Sequence, residues 1–131
     1  MHKKTKGSIA ELAVAGRLMK GGWHVLLPYG ENIRYDLAAE RDGQFLRIQV
    51  KYVTPKNGAL KVNCRSSNNW LVLHYSIHDI DWIAVYNPKT EQIYFVPVSQ
   101  IRRGAMTLRL SPARNGQKIN VRYASMFGEL T

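Results

Sequence analysis

Acidic side chains are what this chain has least of: nine Asp and Glu stand against nineteen Lys and Arg, a formal net charge of +10. An imbalance of that sign favours a polyanionic partner, nucleic acid first and an anionic membrane surface second. Cysteine is nearly absent as well. Cys64 stands alone, which excludes an internal disulfide and suits a reducing cytoplasm. No apolar run reaches the roughly 18 residues of a spanning helix. The opening "MHKKTKG" leads into an interrupted apolar pattern, not a signal-peptide core, so a cytoplasmic protein with no membrane partner is expected. There is no internal repeat, no Gly-rich phosphate loop and no nucleophile elbow, which sets aside the mechanisms those motifs serve. What remains is 131 residues, 45% of them apolar, enough for one core. A single domain over 1–131 is expected, with a basic C-terminal segment from about residue 102.

The stretch "KGSIAELAVAGRLMKGG" predicts a helix from about Thr5 to Lys20, stopped by Gly21-Gly22. Ile9, Leu12, Ala13, Gly16 and Met19 recur at helical spacing, and Ala10, Val14, Ala15 and Leu18 fill most of the rest. A helix apolar nearly all round is expected to be buried. "WHVLLPYG" reads as a short strand, and two strands flank Asp42-Gly43. "ALKVNC" is a further candidate strand and "SNNWLVLHYSIHD" is ambiguous. "DWIAVYNPKTEQIYFVPV" is a hairpin around Asn-Pro-Lys-Thr, and "PVSQIRRGA" a candidate short helix. One helix followed by several strands gives an α/β (α+β) sheet domain with its first helix packed on the sheet.

Polar residues in the middle strands are the anomaly. Asp-Gly between β-patterned runs signals a type I′ hairpin. A two-residue loop at Asp42-Gly43 sets Arg41 opposite Gln44, Glu40 opposite Phe45 and, counting back, Asp36 opposite Gln49. Directly opposed residues have Cβ atoms about 4.5–5.5 Å apart. Lys51, two residues beyond Gln49, points to the same face. Tyr35, Leu37, Ala39, Leu46, Ile48, Val50 and Tyr52 make the other face, read as core. In the helix, Glu11 is the only acid, and its neighbours at i+3, i+4 and i+7 are Val14, Ala15 and Leu18. A carboxylate on so apolar a stretch needs a partner from elsewhere, and a cation shared with Asp36 would serve. Phosphodiester hydrolysis needs a nucleophilic water and charge stabilisation, which a hard divalent cation and a lysine provide.

Other candidates are weaker. His74 and His78 have the spacing of a helical zinc pair but lack a third ligand. Tyr29, Trp70, Tyr75 and Trp82 read as core aromatics before base-stacking ones. Lys6, Arg102, Arg103, Arg109, Arg114, Lys118 and Arg122 are candidate phosphate contacts.

Glu11 in "KGSIAEL", Asp36 in "YDL" and "QVK" at Gln49-Val50-Lys51 resemble the PD-(D/E)XK nuclease superfamily, and within it the bacterial group I intron homing endonucleases with the same "QVK" variant. The likeness is strongest over residues 6 to 53. It implies a restriction-endonuclease-like mixed β-sheet flanked by helices, and Mg²⁺, with Mn²⁺ able to substitute. It also implies metal ligation by Glu11, Asp36 and the Val50 backbone carbonyl, water activation by Lys51, and a catalytic position at Gln49. No proline precedes Asp36, and Gln49 stands where the pattern has an acid. The expected function is Mg²⁺-dependent cleavage of double-stranded DNA, as a site-specific homing enzyme or, alternatively, a Holliday-junction resolvase. A non-catalytic DNA-binding module with a decayed site is a third reading. One site per chain implies a homodimer or homotetramer for cutting both strands.

Overall fold

The computed structural model describes residues 1–68, 71–74, 79–101, 104–112 and 121–130. Helix α1 (Lys3–Lys20) opens with the His2 imidazole accepting from the Lys4 N–H at 3.1 Å. It closes at Gly21, whose N–H bonds the Arg17 and Leu18 carbonyls. Its buried stripe is Ala10, Val14 and Leu18, spaced by four. The expectation of a helix buried all round is corrected: Leu12 is 74% and Met19 64% exposed. The reason is geometric. The helix lies on one face of a sheet, and among the described residues nothing covers its far side.

Strand β1 (His24–Leu26) is shorter than "WHVLLPYG" and stops before Pro28, which has no N–H to donate to a ladder. Tyr29, expected in the core, is fully exposed there. Strands β2 (Leu37–Arg41) and β3 (Gln44–Tyr52) form the expected hairpin. Asp42 (φ 53°) and Gly43 (φ 81°) both take positive φ, as a type I′ turn requires, and Arg41↔Gln44 runs through to Leu37↔Ile48 in the register the turn dictates.

The "ALKVNC" and "SNNWLVLHYSIHD" stretches supply β4 (Ala59–Asn63), β5 (Arg65–Asn68) and β6 (Leu71–His74), the last two pairing as an antiparallel hairpin. His74 therefore lies on a strand, not on the helix a zinc pair would need, while Trp70, Tyr75 and His78 fall outside the described residues. Strands β7 (Trp82–Asn87) and β8 (Gln92–Pro97) form the expected hairpin, its loop one residue later than expected because Asn87 still pairs with Gln92. The Asn87 side chain accepts from the Lys89 N–H at 3.0 Å and so shapes that loop. A 3₁₀ turn at Val98–Gln100 answers the short-helix expectation, and β9 (Ala105–Arg109) follows.

The main sheet has the order β1-β2-β3-β7-β8 and is mixed, because β3 and β7 run parallel while the other neighbours are antiparallel. One face carries Leu37, Ile48, Val50, Ala84 and Phe95 against α1, with Trp82 at its margin. The other carries Ile83, Val85, Tyr94 and Val96. On that face packs a two-stranded ribbon, β4 with β9, through Leu60, Val62, Met106 and Leu108. The expected α/β sheet domain with its first helix on the sheet is what forms. No helix among the described residues is long and apolar enough to cross a membrane.

Candidate active site

Packing of α1 on β3 sets the half-buried Glu11 beside the end of the β2–β3 ladder. There the alternation of β2 breaks. Leu37 packs on the α1 side, but Tyr35, two residues earlier, packs on the opposite side. The Asp36 N–H donates to the Ile48 carbonyl at 2.9 Å, so Asp36 does not continue the ladder to a regular pairing with Gln49. Its carboxylate instead accepts from the Val50 N–H at 2.7 Å, as a backbone carbonyl would in an unbroken strand. This swing, which alternation alone could not show, turns Asp36 toward Glu11.

The two carboxyls lie close enough for each to shift the other's pKa. Burial raises the pKa of Glu11, and the Asp36 carboxyl raises it further. Burial also raises Asp36, but the Val50 N–H, the Glu11 carboxyl and the Lys51 charge oppose it. Two carboxyls so close favour a proton or a cation between them. Their oxygens suit a hard divalent cation. Among the described residues no group of three or more His, Cys, Asp or Glu could hold a metal, so a cation here would complete its shell with main-chain oxygen and water. The N–H and C=O of one residue in a strand face the same neighbour. The Val50 carbonyl thus lies on the Asp36 side, where it can serve.

Lys51 is half-buried on the other face of β3. Burial lowers its pKa, and nearby Lys3 lowers it too, while Cys64 and Asp36 raise it. It lines a cleft of about 400 Å³ with Thr54, Lys56, Lys61 and Asn63. Gln49 shares its face by alternation and is half-buried, and among the described residues its amide makes no hydrogen bond.

The basic candidates divide. Lys6 lies over the Tyr52 ring, 5.7 Å from its centroid, at the same end of β3. Arg109 is committed elsewhere, its guanidinium donating to the Ser111 and Pro112 carbonyls at 3.0 and 3.2 Å. Arg122 is half-buried, and its carbonyl accepts the Arg109 N–H. Arg102, Arg103, Arg114 and Lys118 fall outside the described residues. A larger groove, about 900 Å³ between α1 and the C-terminal segment, includes Arg109 but none of Glu11, Asp36 and Lys51. The chemistry is better placed at the perturbed carboxyls than in that larger space. Sequence reasoning missed Lys56, Lys61 and Asn63. The alternation of "ALKVNC" would have put Lys61 and Asn63 on one face, but nothing local tied that face to Lys51.

The sequence matches the PD-(D/E)XK endonuclease family over residues 1–130. Among solved structures, the chain is similar to the bacterial homing endonuclease I-Ssp6803I, with a TM-score of 0.75 and 29% identity over 97% of this chain and 88% of that one. It also aligns with Hjc, a Holliday junction resolvase from the archaeal hyperthermophile Archaeoglobus fulgidus, at a TM-score of 0.49 and 17% identity over 79% of this chain and 84% of that one. A search of the curated proteins returns no match.

Proposed function

The chain belongs to the PD-(D/E)XK endonuclease family, and from that premise we propose that it is a Mg²⁺-dependent enzyme that hydrolyses phosphodiester bonds in double-stranded DNA at a specific site. The observation that carries the reading is the pairing of two carboxyls, Glu11 and Asp36, each close enough to shift the other's pKa, with the Lys51 charge acting on Asp36. Site-specific cleavage of the homing type is supported by the likeness to I-Ssp6803I, and a DNA partner by the net charge of +10.

Glu11, Asp36 and the Val50 carbonyl would hold Mg²⁺, which when bound supplies charge neutralisation and a more acidic water. Lys51 has the complementary task. Burial keeps its pKa below the usual lysine value, so a neutral fraction can take the proton as water attacks phosphorus. The water oxygen bonds to phosphorus, the bond to the leaving sugar oxygen breaks, the proton lost by water passes to Lys51 Nζ, and the leaving oxygen takes a proton from solvent to become a hydroxyl. The lysine is then cationic, next to the charge that develops on the phosphoryl oxygens. Gln49 offers an amide rather than a third carboxylate, which favours fewer bound cations. One site per chain cuts one strand at a time, so two or four copies are proposed to act together.

The test is incubation of the protein with plasmid DNA and with a four-way junction, in Mg²⁺ and in chelator. Linearised plasmid in Mg²⁺ alone is expected, and its loss in Glu11→Gln and Asp36→Asn with binding retained or tightened. A protein that cuts only the junction is a resolvase. Cutting by either variant at the parent rate under saturating Mg²⁺ overturns the site, and binding without cutting under all conditions makes the chain a DNA-binding module.

A further inference from the structure

The β4–β9 ribbon has two faces of opposite character. Leu60, Val62, Met106 and Leu108 point into the core, while Lys61 and Asn63 on β4 and Ala105 and Thr107 on β9 are exposed. The register sets Lys61 opposite Thr107 and Asn63 opposite Ala105. This outer face is continuous with the candidate active site, because the cleft lined by Lys51 also contains Lys56, Lys61 and Asn63. A second shallow depression carries on from Lys61 and Asn63 to Ala105 and Thr107. No acid lines either of them, although the described residues contain all nine of the chain's carboxylate side chains.

We propose that the outer face of the β4–β9 ribbon lies in the major groove of the duplex being cut and reads its bases, with Lys61 and Asn63 as specificity-determining residues. The proposal rests on the double-stranded DNA reading above and adds which element sees sequence. Three features carry it. The shape fits: the major groove, about 12 Å wide, admits a two-stranded ribbon, whose strands lie about 4.8 Å apart. The chemistry fits: lysine donates to guanine O6 and N7, asparagine pairs with adenine N6 and N7, and the methyl groups of alanine and threonine suit the thymine methyl. The spacing fits too. Same-face neighbours on a strand are about 6.8 Å apart, more than one base-pair step of about 3.4 Å along the axis, so the two side chains reach different base pairs. A ribbon aligned with the groove would set Lys61 and Asn63 on separate base pairs close to one another. Lys51 and Lys56, on the same cleft, would then face the backbone of the same stretch of duplex.

The binding experiment uses the full chain carrying Asp36→Asn, so that bound duplex survives, and a pool of double-stranded oligonucleotides of random sequence. The consensus enriched by this parent is compared with those enriched after adding Asn63→Ala or Lys61→Ala. Both added changes are on exposed side chains, and thermal melts confirm that folding is kept. The expected result is a loss of preference of about tenfold at one base pair for each, the two positions being different and close to one another, with the rest of the consensus intact. A consensus that both changes leave untouched overturns the ribbon proposal alone. So does a uniform loss of affinity for every sequence with a shallower salt dependence, which marks phosphate contacts. A parent that enriches nothing from the duplex pool overturns the double-stranded DNA reading and the ribbon proposal with it.

Discussion

Replacing Asp81 by alanine tests whether the parallel pairing that aligns the site strand depends on a single carboxylate. The β3–β7 ladder begins at Ile48↔Trp82. One step before it, Asp81 Oδ2 accepts from the Arg47 N–H at 2.8 Å and from Nε at 3.1 Å, while Oδ1 accepts from Nη2 at 3.2 Å. The Asp81 N–H in turn donates to the Arg47 carbonyl at 2.9 Å. Both side chains are 34% exposed. A fully exposed pair contributes at most about 1 kcal/mol, and hydrogen bonds to a charged group about 1.5–3 kcal/mol each when buried. These bonds share one carboxylate and one arginine, so they do not add. Discounted for exposure, Asp81→Ala should cost about 2 kcal/mol, and Asp81→Asn, which keeps an acceptor for the Arg47 N–H, about 1 kcal/mol. Urea unfolding at neutral pH should show the alanine midpoint lowered by roughly 1 M with an unchanged slope. A midpoint lowered by less than about 0.3 M would mean the clamp is no more than a surface pair. The pH dependence has a definite sign. Burial by itself would raise Asp81, but the hydrogen bonds and charge of Arg47 outweigh it and hold the carboxyl below its ordinary 3.8. Its contribution is therefore present above pH 3.8 and is lost as pH falls through the lower folded value. Asp81→Asn should lack that acid loss.

Gln49→Glu should tighten Mn²⁺ binding measured by calorimetry, since a third carboxylate would join the strand on which Val50 receives Asp36; identical affinities would place Gln49 outside the cation's surroundings. Metal affinity should rise with pH through a value above the ordinary 4.5 of Glu11, because burial and then Asp36 raise that carboxyl. In chelator the stabilising effect of its proton should be complete below 4.5 and lost as pH rises through the raised folded value; melts that are level across that window refute the raised Glu11 carboxyl. Lys56→Ala, on the cleft beside Lys51, should reduce the slope of log affinity against log salt by about one, and an unchanged slope would move the phosphate track elsewhere.

Much of the site's local frame was legible in the residue order. Asp42-Gly43 determined a type I′ turn, and the turn determined every pair from Arg41↔Gln44 to Leu37↔Ile48, because backbone twist and a period of two leave no other register. The lack of any basic neighbour three or four positions after Glu11 marked that carboxylate as needing a partner from elsewhere. The family likeness was equally visible, carried by short runs around Glu11, Asp36 and Lys51, and the family match over residues 1–130 bears out the family.

What stayed hidden depended on surfaces that meet only in three dimensions. The residue pattern of α1 was apolar on nearly every side, so it could not say that Ala10, Val14 and Leu18 would be buried and Leu12 and Met19 left in water; the sheet covers a single stripe. Alternation placed Tyr35 and Leu37 on one face, but packing on both sides of the sheet separated them and so aimed Asp36 at Glu11. Arg47 meets Asp81 across 34 positions, and β4 finds β9 from the far side of two intervening hairpins. Turns and periodicities are properties of a few consecutive residues, and the chain order states them outright. Partners distant in the chain are chosen by which arrangement buries the most apolar area with every strand hydrogen bond met, and that comparison exists only for the folded whole.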